Sequence, residues 1–377
     1  MPQQPDFSAR IVTWQRVHGR HDLPWQNTRD PFRIWLSEIM LQQTQVTAVI
    51  PYYIRFFGAF PDVATLAQAP LDRVLEHWSG LGYYRRAHYL HATAVAVMEH
   101  HRGIFPRDAV TLETLPGIGR STAAAIAVFA AGERAAILDG NVKRVLARHA
   151  GVDGWPGAPK VEAALWKVAE QRLPQHDVES YTQGLMDLGA TICTRSAPRC
   201  GVCPIAADCV AWRDDRVARL PAARARKPLP QRELRVLLLE RDGQFLFEKR
   251  PPLGIWGGLW SLPECAVAAD IRAEVRARFG AEIELTTMQG GTLSKSAAHN
   301  GPRNELPGTA LPPIQHGFTH FALTMHPQRI PVSHGPRGVA SPATQWLAPA
   351  DALAAALPAP IRALMRALIA ANQQGHK

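Results

Sequence analysis

Four of the five cysteines in this 377-residue chain lie close together, at Cys193, Cys200, Cys203 and Cys209. Their spacing is C-x6-C-x2-C-x5-C, and Pro204 follows the third cysteine. Disulfide bonds are not expected, because no secretion signal is seen and a reducing compartment keeps thiols free. Structural zinc and a 4Fe–4S cluster both take four thiolates. Because such zinc sites usually carry two C-x2-C pairs and only one is present here, the spacing favours the iron–sulfur cluster.

Two acidic residues stand in contexts that could support acid catalysis. Glu38, in SEIMLQQTQV (37–46), lies at the border between an apolar helical stripe and a polar run. Asp139, in LDGNVKRVL (138–146), stands just before a predicted helix and could equally be its N-cap. Glycoside cleavage generally uses one carboxylic acid and one carboxylate. Neither residue would be assigned to catalysis on its own, because most such glutamates are solvated and most such aspartates are caps.

Two further segments could contact a phosphate backbone or the bases. In LPGIGRSTAAAIAVFAAG (115–132), Gly117 and Gly119 lead into a helix whose first backbone N–H groups can approach an anion. An ordinary connection between two helices would look the same. The polar run after Glu38 includes Gln43 and Thr44, which could hydrogen-bond base edges or simply end a helix.

Another candidate DNA-contacting segment, GLGYYRRA (80–87), places Tyr83 beside two arginines after a glycine turn. An aromatic ring next to basic residues can stack on bases or wedge between them. The alternative is a core tyrosine beside surface arginines, and the sequence alone leaves both open.

Composition favours a polyanionic partner. The chain has 42 Lys and Arg against 32 Asp and Glu, a formal net charge of +10 and a pI near 9.7. With 46% hydrophobic and 20% charged residues, it is expected to fold rather than to be disordered. Without a signal peptide or an apolar run of about 18 residues, we expect a soluble cytoplasmic protein that is not inserted in a membrane.

The predicted secondary structure changes after the cysteines. Residues 1–212 carry helical apolar spacing, as in Val142, Val145 and Leu146, and predict an all-α domain. A basic, proline-containing stretch at 213–232 is predicted to be a linker. Residues 233–377 predict a mixed α/β domain, with a hairpin that turns at Asp242-Gly243, a strand at 321–325 and helices at 271–279 and 351–371.

Taken together, these segments resemble the helix-hairpin-helix DNA glycosylase superfamily, in its adenine DNA glycosylase (MutY) branch. That branch removes adenine mispaired with 8-oxoguanine. LPWQ (23–26) and QGLMDLGATICTR (183–195) also match, so the motifs run in family order over roughly residues 20–210. GIWGGLWSLPE (254–264) and HGFTHFALTM (316–325) resemble the family's C-terminal Nudix-like domain.

The resemblance implies a fold and a role for each matching residue. It implies a helix-hairpin-helix at about 112–132, an iron–sulfur loop at 193–209 and an 8-oxoguanine recognition domain at 233–377. Glu38 matches the general acid that protonates adenine at N7, Asp139 the carboxylate that stabilises the oxocarbenium ion, and Asn141 a supporting polar residue. The other implied positions are Trp25 and Gln183 in the adenine pocket, Gln43, Thr44, Tyr83, Gly117, Gly119 and Ser121 at the DNA, Phe318, Thr319 and His320 at 8-oxoguanine, and Cys193, Cys200, Cys203 and Cys209 at a 4Fe–4S cluster.

The chain departs from related patterns at functionally informative positions. Related bifunctional glycosylases carry a lysine where Ser121 stands, and that lysine forms a Schiff base with the sugar. Without an amine we expect a monofunctional enzyme that makes few strand breaks. The metal-binding glutamates of Nudix hydrolases would fall at Arg276 and Ala277, or at Ala277 and Arg278, so this domain should bind and not hydrolyse. Thr319 stands where family members often have serine.

We therefore expect a monomeric, cytoplasmic enzyme, nucleoid-associated if the source is bacterial. Its predicted partner is duplex DNA with 8-oxoguanine:A or G:A mispairs, from which it flips and hydrolytically removes adenine. Two rivals are a bifunctional glycosylase/lyase of the endonuclease III kind and a non-catalytic iron–sulfur DNA-binding sensor. Base release from a defined lesion duplex separates all three.

Overall fold

The computed structural model describes residues 6–224, 228–252, 254–280, 284–285, 288–289, 292–293, 308–334 and 343–374. Backbone contacts divide the chain into two compact units. The first comprises Met1–Pro70 and Arg85–Arg226, and the second comprises Leu71–Tyr84 and Lys227–Lys377. A short excursion from the N-terminal half thus belongs to the second unit.

The first unit is built from helices, and the second adds a sheet, which confirms the predicted fold class. The helices in chain order are α1 (Phe7–His18), α2 (Pro31–Leu41), α3 (Val46–Ala59), α4 (Val63–Gln68), α5 (Leu71–Trp78), α6 (Arg85–His100), α7 (Ala109–Glu113), α8 (Arg120–Ala131), α9 (Gly140–Ala150), α10 (Pro159–Gln171), α11 (Val178–Thr191), α12 (Val210–Arg213), α13 (Ile271–Phe279), α14 (Pro349–Ala352) and α15 (Ala359–Gln374). The strands are β1 (Gln231–Arg241), β2 (Gln244–Lys249), β3 (Trp260–Ser261), β4 (Glu264–Cys265), β5 (Glu284–Leu285), β6 (Met288–Gln289), β7 (Thr292–Leu293), β8 (Thr309–Ala310), β9 (Ile314–Gly317), β10 (Ala322–His334) and β11 (Thr344–Leu347).

Local sequence signals set the ends of the helices that matter for the site. Asp30 begins α2 by accepting a hydrogen bond from the Phe32 backbone N–H at 3.0 Å. Gly132 and Gly151 end α8 and α9 in the left-handed region, each at φ +68°, where glycine is the favoured residue. These caps fix where α2, α8 and α9 begin and end, and so place the residues near those ends.

The core of the first unit depends on close helix packing. Helix α8 contacts both α2 and α7, and its run of alanines from Ala123 to Ala125 is buried. Small side chains let two helix backbones approach each other, so α2 lies directly against the helix that follows the glycine turn. Helix α11 packs against α1 and α9 and completes the framework around the site.

A sheet forms the centre of the second unit. Strand β1 pairs in parallel with β10 and antiparallel with β2, and β2 pairs antiparallel with β11. The predicted hairpin between β1 and β2 turns at Asp242 (φ +51°) and Gly243 (φ +75°), the left-handed pair that a two-residue type I′ turn requires. Strands β8 and β9 pair antiparallel with β10, and so place the loop that follows β9 at the edge of this sheet.

Two sequence predictions need correction. The helix expected over residues 351–371 is two helices, α14 and α15, separated at Leu353–Pro358 because proline disfavours a helical residue before it. The predicted linker is not a free tether throughout. Leu220 is buried and accepts a hydrogen bond from Arg148 Nε at 2.7 Å, and Ala222 N–H donates to the Gly154 carbonyl at 3.2 Å.

The excursion at Leu71–Tyr84 is held within the second unit by polar contacts. Lys249 Nζ pairs with the Asp72 carboxylate, and Arg362 Nη2 donates to Ser79 Oγ at 2.8 Å. The Tyr84 hydroxyl donates to the Leu357 carbonyl at 3.3 Å. Tyr83 therefore sits in the same compact unit as the sheet. Within the described part of the chain, no helix is both long and apolar enough to cross a membrane.

Candidate active site

A large cavity in the helical unit brings together three residues that the sequence had singled out separately. Its empty volume is about 1430 Å³, part of it open to solvent, and Glu38, Trp25 and Gln183 line it. Trp25 is buried and packs edge-on against Tyr53, with ring centroids 5.3 Å apart. The cavity therefore has an aromatic wall, an amide and a carboxyl group, contributed by three distant parts of the chain.

Glu38 lies in the last turn of α2 and is half-buried. Burial raises its pKa to about 7, and the negative charge of Asp139 contributes to the rise. A carboxyl group with this pKa holds a proton in a large fraction of molecules at neutral pH. It can therefore act as a general acid under conditions where an ordinary glutamate is ionised.

Asp139 occupies the N-cap of α9, where it accepts a hydrogen bond from the Val142 N–H at 2.7 Å. Burial raises its pKa, while the Val142 and Asn141 backbone N–H groups and the positive charges of Arg144 and Lys143 act in the opposite direction. These four groups favour the ionised form, but burial is the largest cause and the pKa of Asp139 stays above its ordinary value. The capping role that the sequence offered is correct, and it leaves the carboxylate beside Glu38.

Arg144 connects the surroundings of Asp139 to the cysteine loop. Its Nη2 donates to Asn141 Oδ1 at 2.9 Å and to the Gly189 carbonyl at 2.7 Å, and its Nε donates to the Cys193 carbonyl at 2.8 Å. A Cβ at Gly189 would lie 2.6 Å from that of Asn141, so only glycine permits this approach. Sequence inspection missed Arg144, although its place three residues after Asn141 on α9 was a possible signal.

A buried ion pair positions Gln183. Gln183 Nε2 donates to Asp187 Oδ1 at 2.8 Å, and the Asp187 side chain is 1% exposed. Arg20 also binds Asp187, through its Nε at 2.7 Å and its backbone N–H at 2.8 Å. Because one N–H of the Gln183 amide is donated to Asp187, the orientation of the amide is fixed, and its oxygen and second N–H remain for hydrogen bonds in the cavity. Sequence inspection missed Arg20 and Asp187, since no local pattern links residues so far apart.

The residues predicted to contact DNA have distinctive backbone conformations. Gln43 and Tyr83 have φ values of +57° and +50°, a region that non-glycine residues rarely adopt and that often marks functional positions. Tyr83 is 45% exposed. Thr44, next to Gln43, accepts a hydrogen bond from Arg86 Nη2 at 3.1 Å.

The glycine turn has the geometry expected of a close-approach site. Gly117 has φ +75°, and a Cβ there would lie 2.6 Å from that of Tyr89, so a larger residue would clash. Gly119 caps α8 and has open space around its Cβ position. The Ser121 hydroxyl accepts a hydrogen bond from the Leu138 N–H at 2.9 Å, which ties α8 to the residue before Asp139.

An aromatic cluster surrounds the predicted 8-oxoguanine loop in the second unit. The Phe318 ring stacks on Phe321, with centroids 4.5 Å apart and 23° between the planes, and lies 5.2 Å from Trp256. Thr319 and His320 are exposed. The structure therefore anchors the loop through its phenylalanine and leaves the two polar side chains at the surface.

Arginines pair with the acidic residues of the Nudix-like region. Arg278 Nη2 donates to Glu248 at 2.6 Å, and its Nη1 donates to the Glu264 backbone carbonyl at 2.7 Å. Arg250 pairs with the Glu264 carboxylate at 2.5 Å. Arginines of the same unit thus pair with the carboxylates of Glu248 and Glu264.

The four clustered cysteines line one cavity of the helical unit, with an empty volume of about 370 Å³ that is partly open to solvent. Burial, with a smaller contribution from the neighbouring thiols, raises the pKa of Cys203 to about 12. Arg148 Nη1 donates to Cys193 Sγ at 3.4 Å. Among the described residues, no group of three or more His, Cys, Asp and Glu side chains is arranged around a single metal ion.

Comparison with known proteins identifies the family. A model of the HhH-GPD superfamily of base excision DNA repair proteins matches residues 36–171, and a NUDIX domain model matches residues 235–367. The chain is 40% identical over 266 residues to the adenine DNA glycosylase of Buchnera aphidicola subsp. Baizongia pistaciae, covering 70% of this chain and 75% of that relative. It is 30% identical over 393 residues to the Mus musculus adenine DNA glycosylase, covering 90% and 73%.

Structural comparison agrees with the sequence match. A thermostable thymine-DNA glycosylase of known structure aligns with a TM-score of 0.51 and 31% identity, covering 55% of this chain and 95% of that one. With these identities and coverages, the chain belongs to the adenine DNA glycosylase family and is a DNA glycosylase.

Proposed function

We propose that this protein flips adenine out of 8-oxoguanine:A and G:A mispairs in duplex DNA and removes it by hydrolysis, without cutting the strand. The observation that carries the proposal is the large cavity lined by Glu38, whose pKa is raised to about 7 by burial and by the negative charge of Asp139. The formal net charge of +10 suits a DNA partner. The proposed enzyme acts as a monomer.

The chemistry follows from the different environments of the two acids. Adenine is a poor leaving group until it is protonated, and Glu38 can supply that proton. Departure of the base leaves positive charge on the sugar, which the Asp139 carboxylate and its orienting neighbours stabilise. The Gln183 amide oxygen can accept a hydrogen bond from the adenine amino group inside the cavity. Flipping costs a few kcal/mol, and a mispair reduces that cost.

The monofunctional part of the proposal depends on Ser121. Its hydroxyl already accepts a hydrogen bond from Leu138 N–H, and it offers no amine to form a Schiff base with the sugar. Water is therefore the proposed nucleophile that adds to the sugar cation, and the abasic strand should stay intact.

Single-turnover adenine release, scored with and without hot alkali, tests this function directly. The duplexes carry one 8-oxoguanine:A, G:A or T:A pair. We expect release from the first two pairs, none from T:A, and strand breaks only after alkali. Strand breaks without alkali would indicate a lyase, and no release at all would indicate a binding protein.

We further propose that the second unit reads the base opposite adenine. Tyr83 and the loop Phe318–Thr319–His320 belong to this one compact unit, although they are distant in sequence. Phe318 is anchored by aromatic stacking. Thr319 Oγ1 lies 3.4 Å from His320 Nδ1, and both side chains are exposed, so they can exchange this contact for hydrogen bonds to a base. The carboxylates paired with Arg250 and Arg278 support binding without hydrolysis.

Replacing Thr319 by valine should lower the preference for 8-oxoguanine:A over G:A about fivefold, the effect of one lost hydrogen bond of about 1 kcal/mol. The substitution keeps the size of the side chain, so the loop should stay folded. The measurement is the ratio of single-turnover rates on the two duplexes. Thr309→Val, at another exposed threonine of the same unit, is the matched control. An unchanged ratio in Thr319→Val would remove this hydroxyl from lesion recognition.

We propose that Cys193, Cys200, Cys203 and Cys209 hold a 4Fe–4S cluster. The fit rests on four thiols that line one cavity. Burial and neighbouring thiols raise the pKa of Cys200, Cys203 and Cys209, so these groups would need a bound cation to become the thiolates that hold a cluster. By stabilising the thiolates, the cluster would hold this basic loop in a fixed conformation for DNA contact. Glu38, Asp139 and Gln183 would carry out the bond-breaking chemistry.

Cys200→Ala should reduce bound iron from about four atoms per chain and lower DNA affinity about tenfold or more, because the loop loses a ligand. Iron analysis, visible absorption and a DNA-binding titration at fixed salt measure these changes. Cys265→Ala, the same substitution at the buried cysteine of the second unit, should retain iron. Full iron content in Cys200→Ala would contradict the ligand assignment.

A further inference from the structure

Arg86 makes a set of contacts that the proposed chemistry does not use. It lies near the start of α6 and is only 8% exposed. Its Nη1 is 2.9 Å from the Ile39 carbonyl, 2.7 Å from the Met40 carbonyl and 2.5 Å from the Gln42 carbonyl. Its Nη2 donates to Thr44 Oγ1 at 3.1 Å. One buried guanidinium thus spans the end of α2 and the loop that follows it.

These contacts satisfy carbonyl groups that a helix end leaves without partners. The last four carbonyls of an α-helix lack intrahelical hydrogen bonds, and a positive charge at that end is electrostatically favourable. Helix α2 ends at Leu41, and the Ile39 and Met40 carbonyls belong to its last turn. Arg86 therefore caps the helix that carries Glu38, and does so from a different part of the chain.

The same contacts hold the loop in a conformation that it would rarely adopt alone. Gln43 has φ +57°, and the left-handed region costs a non-glycine residue of the order of 1 kcal/mol. Arg86 binds the residue on either side of it, through the Gln42 carbonyl and the Thr44 hydroxyl. The residue proposed to enter the duplex is thus fixed from both sides.

We infer that Arg86 is a positioning residue that preorganises Gln43 for insertion into DNA. This inference rests on the proposed function, because it takes Gln43 to be a residue that enters the duplex. Arg86 holds the loop conformation before DNA arrives, so less of the binding free energy is spent on ordering it. Lysine should not replace it, because one ammonium nitrogen cannot serve both sides of the loop as the planar guanidinium does.

A double-mutant cycle in the full-length protein tests the inference. Arg86→Lys and Gln43→Ala are made singly and together, and single-turnover adenine release is measured on the 8-oxoguanine:A duplex. We expect Arg86→Lys to slow release about tenfold when Gln43 is present and less than about twofold when it is alanine. Equal slowing in both backgrounds would overturn the positioning role and leave the proposed function standing.

A second readout reports insertion itself. 2-Aminopurine placed beside 8-oxoguanine brightens when the stack opens, and Glu38→Gln protein keeps the duplex uncleaved during the titration. We expect brightening with Arg86 and its loss in Arg86→Lys and in Gln43→Ala. If Gln43→Ala changes neither the rate nor the brightening, Gln43 does not enter the duplex. The inference then fails with that part of the proposed function, whereas adenine release itself is unaffected.

Two variants guard against a trivial loss of folding. Arg134→Lys is the matched control, because Arg134 also donates to backbone carbonyls, of Leu173 and Pro174, at 2.9 and 3.0 Å. It should keep both rate and brightening. If Arg86→Lys does not fold, Thr44→Val removes one of the two loop-side acceptors and leaves the contacts to the Gln42 carbonyl and the helix end. The same cycle with Gln43→Ala is then run. Non-additive losses support the inference, and additive losses overturn it.

Discussion

Replacing Glu38 by glutamine is expected to slow adenine release about 10²- to 10⁴-fold, the usual contribution of a general acid. Glutamine keeps the shape of the side chain and its position at the cavity but has no proton to give to the departing base. Binding to the 8-oxoguanine:A duplex should be retained, because the substitution removes no positively charged side chain that could contact the phosphates. Single-turnover release and a parallel binding titration separate the two effects.

The pH dependence provides a stricter test of the same assignment. Only the protonated form of Glu38 donates, and its pKa is about 7, so the wild-type rate should fall through this value as pH rises. The residual rate of Glu38→Gln should lack that fall. Glu99→Gln, at an exposed glutamate of α6, is the matched control and should keep the wild-type profile. A near-normal rate in Glu38→Gln would refute the assignment.

Folding stability should also decrease as pH rises, over the interval between the ordinary pKa of Glu38 and its raised value. The pKa of Glu38 rises from its ordinary 4.5 to about 7 on folding, so the folded state binds the proton more tightly than the unfolded state does. Its contribution to stability is therefore complete below about pH 4.5 and is lost as pH rises toward 7. Glu38→Gln should lose less stability over this interval, which pH-resolved unfolding measurements can show.

Local sequence patterns predict most of the helices and turns near the site, because the residues that start, end and bury these elements lie within them or next to them. Helix α9 combines apolar spacing with an aspartate cap and a glycine end, and the Asp242-Gly243 turn leaves few alternatives. The alanines and leucines of 351–371 predict one helix, whereas Pro358 lies between α14 and α15. In each case the decisive signal lies within a few residues of the element.

The contacts that organise the site were not predictable in this way. Gln183, Asp187 and Arg20 form one network across more than 160 residues of sequence, and Arg86 reaches the end of α2 from 46 residues away. In the sequence, a buried arginine or aspartate cannot be distinguished from an exposed one, because its partners come from distant parts of the chain. Likewise, helix α5 buries Val74 and Trp78 on one face, but helical spacing alone does not predict that α5 belongs to the second unit.

Replacing Asp139 by asparagine is expected to slow adenine release about 10²- to 10³-fold, because the developing positive charge on the sugar loses its carboxylate. Asparagine is as good an N-cap as aspartate, so the hydrogen bond from Val142 N–H and helix α9 should survive. Thermal unfolding of the variant should stay close to wild type. Asp62→Asn makes the same change at the N-cap of α4, where Asp62 accepts from Thr65 N–H at 2.7 Å, and should leave the rate unchanged.

The residual activity of Asp139→Asn should also report on Glu38. The negative charge of Asp139 is one of the causes that raise the pKa of Glu38, so its removal should lower that pKa. The fall in rate with rising pH should then begin at a lower pH than in the wild type. A rate loss that is matched by a loss of thermal stability, with no displacement of the pH profile, would reduce Asp139 to a helix cap. A displaced profile on a stable fold would instead show that the two carboxyl groups act as an electrostatically coupled pair, in which the ionised member keeps the proton on the other.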